Sequence, residues 1–380
     1  MRKQGKMLAI VMVVLFAILG IVGCGEQQED VVQPAPAPEA VEDTGEVVED
    51  TGEIYVANVV AHSYEAHNVR ERVWKDYVES ASGGRIRVNL LARDAIAPSD
   101  TEVLELVRAG EITSGPMSED GASHVYPELT ALAVPFMMPN AIVAEKMLAH
   151  DSPFFEHVAE EFYRRTNGEV RLVGSHVNSF RNLYSVHPIR VPDDLRRFNI
   201  TIRVQEVPLT IAVWEALGAS AIGLPSADRY MAMETGMINA LEGGVASVYQ
   251  FGIFDIAEYA ILLGYMFSPK FYIVNEEWFQ SLPPSLQQVA VDGWIKAYWM
   301  ETQVREYFDL LELKNLQDDG NTVIIPSEEE LAQWRDIAVP TARQYLEDSI
   351  DTSFIDYIQE NVNRVLGDLN SMAETISRNF

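Results

Sequence analysis

The chain has 380 residues, with 57 acidic against 28 basic side chains and a formal net charge of −29. That balance excludes a nucleic-acid partner, because a polyanion rewards clustered Lys and Arg. A single cysteine excludes a disulfide framework and any multi-cysteine metal site, while 48% hydrophobic residues leave enough apolar chain for a packed core.

The N-terminus accounts for that cysteine. Arg2, Lys3 and Lys6 precede an uncharged apolar run from Met7 to Gly23. The run ends Ile21-Val22-Gly23-Cys24, an aliphatic residue and small residues before Cys, which is the pattern of a lipobox. The expectation is a signal peptide over 1–23, cut before Cys24, whose thiol carries a diacylglycerol. The protein is then extracytoplasmic and lipid-anchored, its acyl chains each contributing about 0.8 kcal/mol per buried CH₂. The alternative is an uncleaved anchor helix.

Residues 24–53 read as an acidic disordered tether. Gly25 to Glu53 carries ten acids and no base, and the hexapeptide Val-Glu-Asp-Thr-Gly-Glu occurs twice, at 41–46 and 48–53. No hydrophobic period appears, so nothing drives packing.

The folded part begins near Ile54. Ile54 to Val60 reads as a strand, His67 to Ser80 as an amphipathic helix stopped at Gly83-Gly84, and Arg85 to Leu91 as a half-buried strand. Ser99 or Asp100 caps a helix to Ala109, closed by Gly110, with a strand near Ile112. This β-α-β-α-β order predicts an α/β fold with a largely parallel sheet. Helices follow over 139–150 and 152–166, strands over 170–177, 180–186 and 198–204, a helix over 207–217 and a strand over 219–224. Ser226 caps a helix to Thr235. Strands at 259–263 and 271–274 precede a long helix over 283–316, a short strand at 322–325, and helices over 328–354 and 355–377.

Several enzyme signatures are missing: no Gly-x-Gly-x-x-Gly or Walker loop, no His-Glu-x-x-His, no Gly-x-Ser-x-Gly. No cofactor and no metal is expected. His62 and His67 are five apart, which suits neither a helix face nor a strand face. What stands out is arginine inside apolar, β-rich sequence: Arg181 in Ser179-Phe180-Arg181-Asn182-Leu183-Tyr184, and Arg203 in Ile200-Thr201-Ile202-Arg203-Val204. A guanidinium so placed needs an anion, and its fork matches a carboxylate through two parallel hydrogen bonds. That anion is a ligand or an internal Glu; otherwise the Arg lies on an exposed strand face.

The segments Ala66-His67-Asn68, 82–88, 105–112, Val134-Pro135-Phe136, Phe180-Arg181-Asn182-Leu183, Pro188 to Leu195, Ile202-Arg203-Val204, 217–219, 224–226, 230–236 and 278–283 recur here in a characteristic order. In that order and spacing the chain resembles the solute-binding proteins of tripartite ATP-independent periplasmic (TRAP) transporters, the DctP family, from about Val56 to Ala342. The resemblance implies two α/β lobes, type II-like, around a ligand cleft crossed by a long helix. It implies capture of an organic acid, a dicarboxylate or sugar acid, and delivery to the large and small membrane subunits of an ion-gradient-driven permease. It implies Arg203 as the carboxylate clamp, joined by Arg181, with Glu242, Gly243, Phe136, Tyr230 and His67 as further ligand-binding candidates; for Phe136 and Tyr230 core packing is the favoured reading over lining the pocket.

The lobes are expected over 54–176 with about 268–310, and over 177–267 with about 311–350, followed by a C-terminal helical extension over 351–380. The protein is expected to be a monomer and not an enzyme. Gly243 stands where the family often has Asn, Gln205 replaces a frequent Pro, and Ala92 to Ala97 replaces the usual loop at the cleft mouth. These departures bear on the substrate rather than the fold. Two rivals share the fold: a sensor presenting the ligand to a membrane kinase, and an enzyme built on a binding-protein scaffold.

Overall fold

The computed structural model describes residues 52–61, 69–97, 99–225 and 228–379. Cys24, the acidic tether up to Thr51, His62, His67 and the Ser226 cap lie outside them. Apolar runs become strands β1 (Tyr55–Ala61), β2 (Ile86–Ala92) and β3 (Ser114–Ser118), the last two residues later than the Ile112 expectation. They are followed by β4 (Val170–Ser185), β5 (Thr201–Val204), β6 (Ser220–Gly223), β7 (Ala240–Gly243), β8 (Tyr259–Asn275) and β9 (Thr322–Ile324). One sheet joins them in the order β2-β1-β3-β8-β4-β7-β5-β6, with β9 on β8.

The sheet is mixed rather than largely parallel. β1 pairs parallel with β2 and β3, and β5 with β6 and β7, but β8 runs antiparallel to β3 and β4, and β4 antiparallel to β7. β4 and β8 are 16 and 17 residues long, where the sequence suggests two short strands each. Register shifts at Leu172/Gly174, Val177/Ser179 and Arg181/Leu183 explain the difference. Each inserted residue breaks the two-residue alternation, so a continuous bent strand reads as two fragments.

Helix starts are legible from their caps. Ser99 forms a capping box on Asp100–Arg108, Asn140 caps Ala141–Leu148, and Ser152 caps Pro153–Arg165. The long helix Pro284–Asp319 has 36 residues and ends at Gly320, whose φ of 99° is the left-handed conformation glycine supplies. Trp294 of this helix stacks on Trp74 of helix Arg70–Ala81 at 4.5 Å, in a core with Val78, Ile86, Val173 and Tyr272. Burying each such side chain contributes about 1.5–3 kcal/mol. The terminal helices divide at 348–352, giving Glu328–Glu347 and Ser353–Asn379. No described helix is long and apolar enough to cross a membrane.

Candidate solute-binding site

Both arginines singled out in the sequence are buried, Arg181 on β4 and Arg203 on β5, yet they have different partners. Arg181 faces Glu242 on β7, which is fully buried. Its Nε donates to Oε2 and its Nη2 donates to Oε1 at 2.6 Å. Tyr265 on β8 donates its hydroxyl to the same carboxylate at 3.0 Å. Burial opposes the charge on each member. The Arg181 charge and hydrogen bonds nonetheless hold Glu242 below its usual value, and Glu242 raises Arg181 in return. Arg181 therefore has an internal carboxylate partner.

Arg203 has none among the described residues. Its Nε donates to the Leu224 carbonyl at 2.8 Å, and Nη2 donates to the same oxygen. A carbonyl offers only a partial charge. Burial, with Arg181 nearby, lowers Arg203 to about 10, against weaker support from Glu242 and Glu206. Arg203 is thus a buried cation held in a fixed plane without a hydrogen-bonded carboxylate among the described residues.

Beyond Arg203 the chain continues to Gln205, which borders a cavity of about 10 Å³. Gln205 and Thr210 face it from the β5 side, Glu119, Asp120 and Thr130 from the β3 side, and Met266 from β8. That is room for about one water. Glu119 opens the short helix Glu119–Ser123 directly after β3 and is buried, and its Oε2 has no hydrogen-bond partner among the described residues. Burial pushes its carboxyl up to about 7, against the pull of Lys270 and Arg181. Close by, Arg93 donates to Asp100 and to the Pro116 carbonyl. Asp100 also accepts from the Ser118 amide at 2.7 Å. Burial disfavours its charge, but Lys270 and Arg93 together hold Asp100 well below the usual carboxylate range. Lys270 is half-buried, with its proton affinity lowered by burial and, among the described residues, no hydrogen-bond partner.

Of the other sequence candidates, Phe136 lies beside this site. Its amide donates to the Tyr265 carbonyl at 2.6 Å, and its ring meets the Tyr265 ring edge-on at 6.4 Å. Its φ of 56° is unusual for a bulky residue and costs of order 1–3 kcal/mol, held here by those contacts. Gly243 pairs with Asn182 across β7 and β4, and a Cβ there would stand 2.9 Å from Val248 Cγ2. An Asn would press on that methyl, so the glycine fits the local packing. Tyr230 packs in the cluster containing Met233, Leu241 and Val248, as the core reading has it. Glu119, Tyr265 and Lys270 were not singled out from the sequence, although Glu119 within Met117-Ser118-Glu119-Asp120-Gly121 is an acid directly after a strand.

The sequence and the fold both match known proteins. The profile of bacterial extracellular solute-binding protein family 7, DctP, matches residues 56–348. The 2,3-diketo-L-gulonate-binding periplasmic protein YiaO of Escherichia coli K12 is 23% identical over 231 residues, covering 60% of this chain and 68% of YiaO. A TRAP periplasmic solute-binding protein of Ochrobactrum anthropi superposes with a TM-score of 0.75 at 22% identity, over 83% of this chain and 97% of that one. The sugar-acid-binding protein DctPAm of Advenella mimigardefordensis, in complex with galactonate, gives 0.73 at 18% identity, over 82% and 99%. The chain belongs to bacterial extracellular solute-binding protein family 7, the two-lobed periplasmic solute-binding proteins of TRAP transporters, whose members bind a solute rather than transform one.

Proposed function

We propose that the chain is a lipid-anchored receptor that captures a hydroxylated monocarboxylate and delivers it to the large and small membrane subunits of a TRAP permease. The observation that carries this reading is Arg203, a buried guanidinium with no carboxylate partner among the described residues, next to an Arg181 already neutralised by Glu242. Arg181 has the Glu242 carboxylate on its guanidinium, so Arg203 is the member of this arginine pair without a hydrogen-bonded carboxylate among the described residues. One such cation favours a monoanion. Glu119, buried with a free Oε2, suits a ligand hydroxyl as hydrogen-bond partner. Galactonate in the Advenella protein has both groups.

The proposed lobes are 54–176 with about 268–310 and 177–267 with about 311–350. The register shift at Val177/Ser179, opposite Ser268 and Pro269, lies where β4 and β8 pass between them, and a break in the ladder there suits a hinge. A solute touching Arg203 on one side and Glu119 on the other binds the closed state better than the open one, which is what closure requires. Cys24, with its lipobox, supplies the anchor, and the acidic segment to Glu53 the tether.

The test is a thermal-shift screen with D-galactonate, D-glucuronate, succinate and acetate. A ligand at 100 times its Kd adds about 2.7 kcal/mol of stability. The two sugar acids are expected to raise the melting temperature, and succinate and acetate to do so far less. Equal stabilisation by succinate would contradict the monocarboxylate reading.

A further inference from the structure

Away from the Arg203 cleft, a second cavity of about 370 Å³ opens beside β4. It lies between the C-terminal end of helix Ala141–Leu148, with Ala149 and His150, and the middle of the long helix Pro284–Asp319. Its size is that of a small-molecule site. β4 supplies the floor with Ser175 and His176, on the stretch that pairs with β8 alone; β7 joins β4 only from Asn182 onwards.

The floor carries hydrogen-bonding groups that find no partner among the described residues. His176 is 3% exposed, and neither ring nitrogen has a partner among them. Tyr298, from the long helix, is 6% exposed, and its hydroxyl has none among them either. Leaving such groups unpaired costs about 1–3 kcal/mol each. Both are held firmly. The His176 ring is parallel to Tyr298 at 6.0 Å, and Tyr298 in turn to Trp294 at 5.7 Å. Gly174 admits the Tyr298 ring against its backbone, since a Cβ there would overlap Cε2 at 1.7 Å. Above the floor the wall is apolar and open: Trp299 is 64% and Ile295 41% exposed.

We propose that this cavity is a second small-molecule site, independent of the Arg203 cleft, that takes a neutral ring compound bearing a hydroxyl group. The floor selects the hydroxyl. A neutral imidazole presents one donor and one acceptor, and a tyrosine hydroxyl both donates and accepts, so a ligand group that does both satisfies them together. Burial, with Arg70, Arg305 and Lys270 in range, keeps His176 neutral. The wall selects the ring, which stacks on the Trp299 indole against Ile295. The rim carries charges of both signs, Glu145, Asp151 and Lys146, whereas the floor itself offers only the neutral His176 ring and the hydroxyls of Tyr298 and Ser175, so the ligand group that reaches the floor is an uncharged one.

Phenol is the probe. Calorimetric titration of the purified chain is expected to give saturable binding with a Kd of about 1 mM, corresponding to about −4.1 kcal/mol. Toluene, lacking the hydroxyl, is expected to bind at least about fivefold more weakly. His176→Phe keeps the ring and removes both nitrogens; it is expected to lose about fivefold or more for phenol while melting no lower than the wild type. Trp299→Ala, at an exposed position, is expected to weaken phenol and toluene alike, and Arg203→Ala to change neither. No saturation below about 10 mM phenol would overturn the proposal. So would equal affinity for phenol and toluene, phenol binding unchanged by His176→Phe, or its loss in Arg203→Ala.

Discussion

Arg181 and Glu242 are 61 residues apart in sequence, and they pair fork to fork inside the protein, with the Tyr265 hydroxyl on the same carboxylate. That pair decides the electrostatics of the site. It consumes the charge of one buried arginine and leaves Arg203, whose strand is reached through the same β7, with only the Leu224 carbonyl. Of this pair one arginine is committed to the fold, and the other is the one proposed to meet the solute.

Removing one member of the pair is therefore expected to hurt stability first. Arg181→Leu leaves Glu242 buried without its cation and is expected to cost about 3–5 kcal/mol in urea unfolding. The double variant Arg181→Leu/Glu242→Met removes both charges, and it is expected to recover most of that loss because the desolvation penalty disappears with them. An Arg181→Leu variant as stable as the wild type would show that the pair contributes nothing to the fold.

Glu119 gives a pH signature with a definite sign. Its folded value of about 7 lies above the ordinary 4.5, because burial disfavours the charged form. The folded protein therefore binds the extra proton between those values. The stability tied to that proton is fully present below about 4.5 and is lost as pH rises through about 7. The loss is at most about 3 kcal/mol. Glu119→Gln does not titrate, so its stability relative to wild type is expected to increase between about pH 5 and about pH 8. Urea unfolding of both proteins at the two pH values checks it; parallel pH profiles would contradict the assignment.

Much of this architecture was legible in the sequence, for reasons that can be named. The cap at Ser99 marks a helix start because a side-chain oxygen there satisfies an otherwise orphaned amide. Arg203 stands out because a charge between Ile202 and Val204 contradicts its surroundings. The continuity of β4 and β8 was not legible, because bulges at Val177/Ser179 and Arg181/Leu183 disturb the alternation that identifies a strand. The internal pairing of Arg181 was open for a different reason: no local pattern says which acid 61 residues away will meet it. Glu119 escapes notice because Ser118-Glu119-Asp120-Gly121 reads as a polar turn, and only tertiary packing buries it.

The anchoring expectation rests on Cys24, outside the described residues, and is tested separately. Cys24→Ala removes the acceptor thiol and is expected to abolish incorporation of labelled fatty acid into the protein. Unchanged labelling would mean that Cys24 is not the acylated residue.

Arg203 is the central claim, and calorimetric titration of D-galactonate into wild type, Arg203→Ala and Arg203→Lys tests it most directly. Without Arg203 the solute carboxylate enters a buried site with no cation, which costs about 3–5 kcal/mol, a few hundred- to a few thousand-fold in affinity. Lys supplies one mobile point charge instead of two donors in a fixed plane, so Arg203→Lys is expected to recover little. The empty Arg203→Ala protein is expected to melt close to wild type, because no internal carboxylate among the described residues loses its partner. Galactonate binding to Arg203→Ala within about threefold of wild type, a difference of under about 1 kcal/mol, would contradict the account.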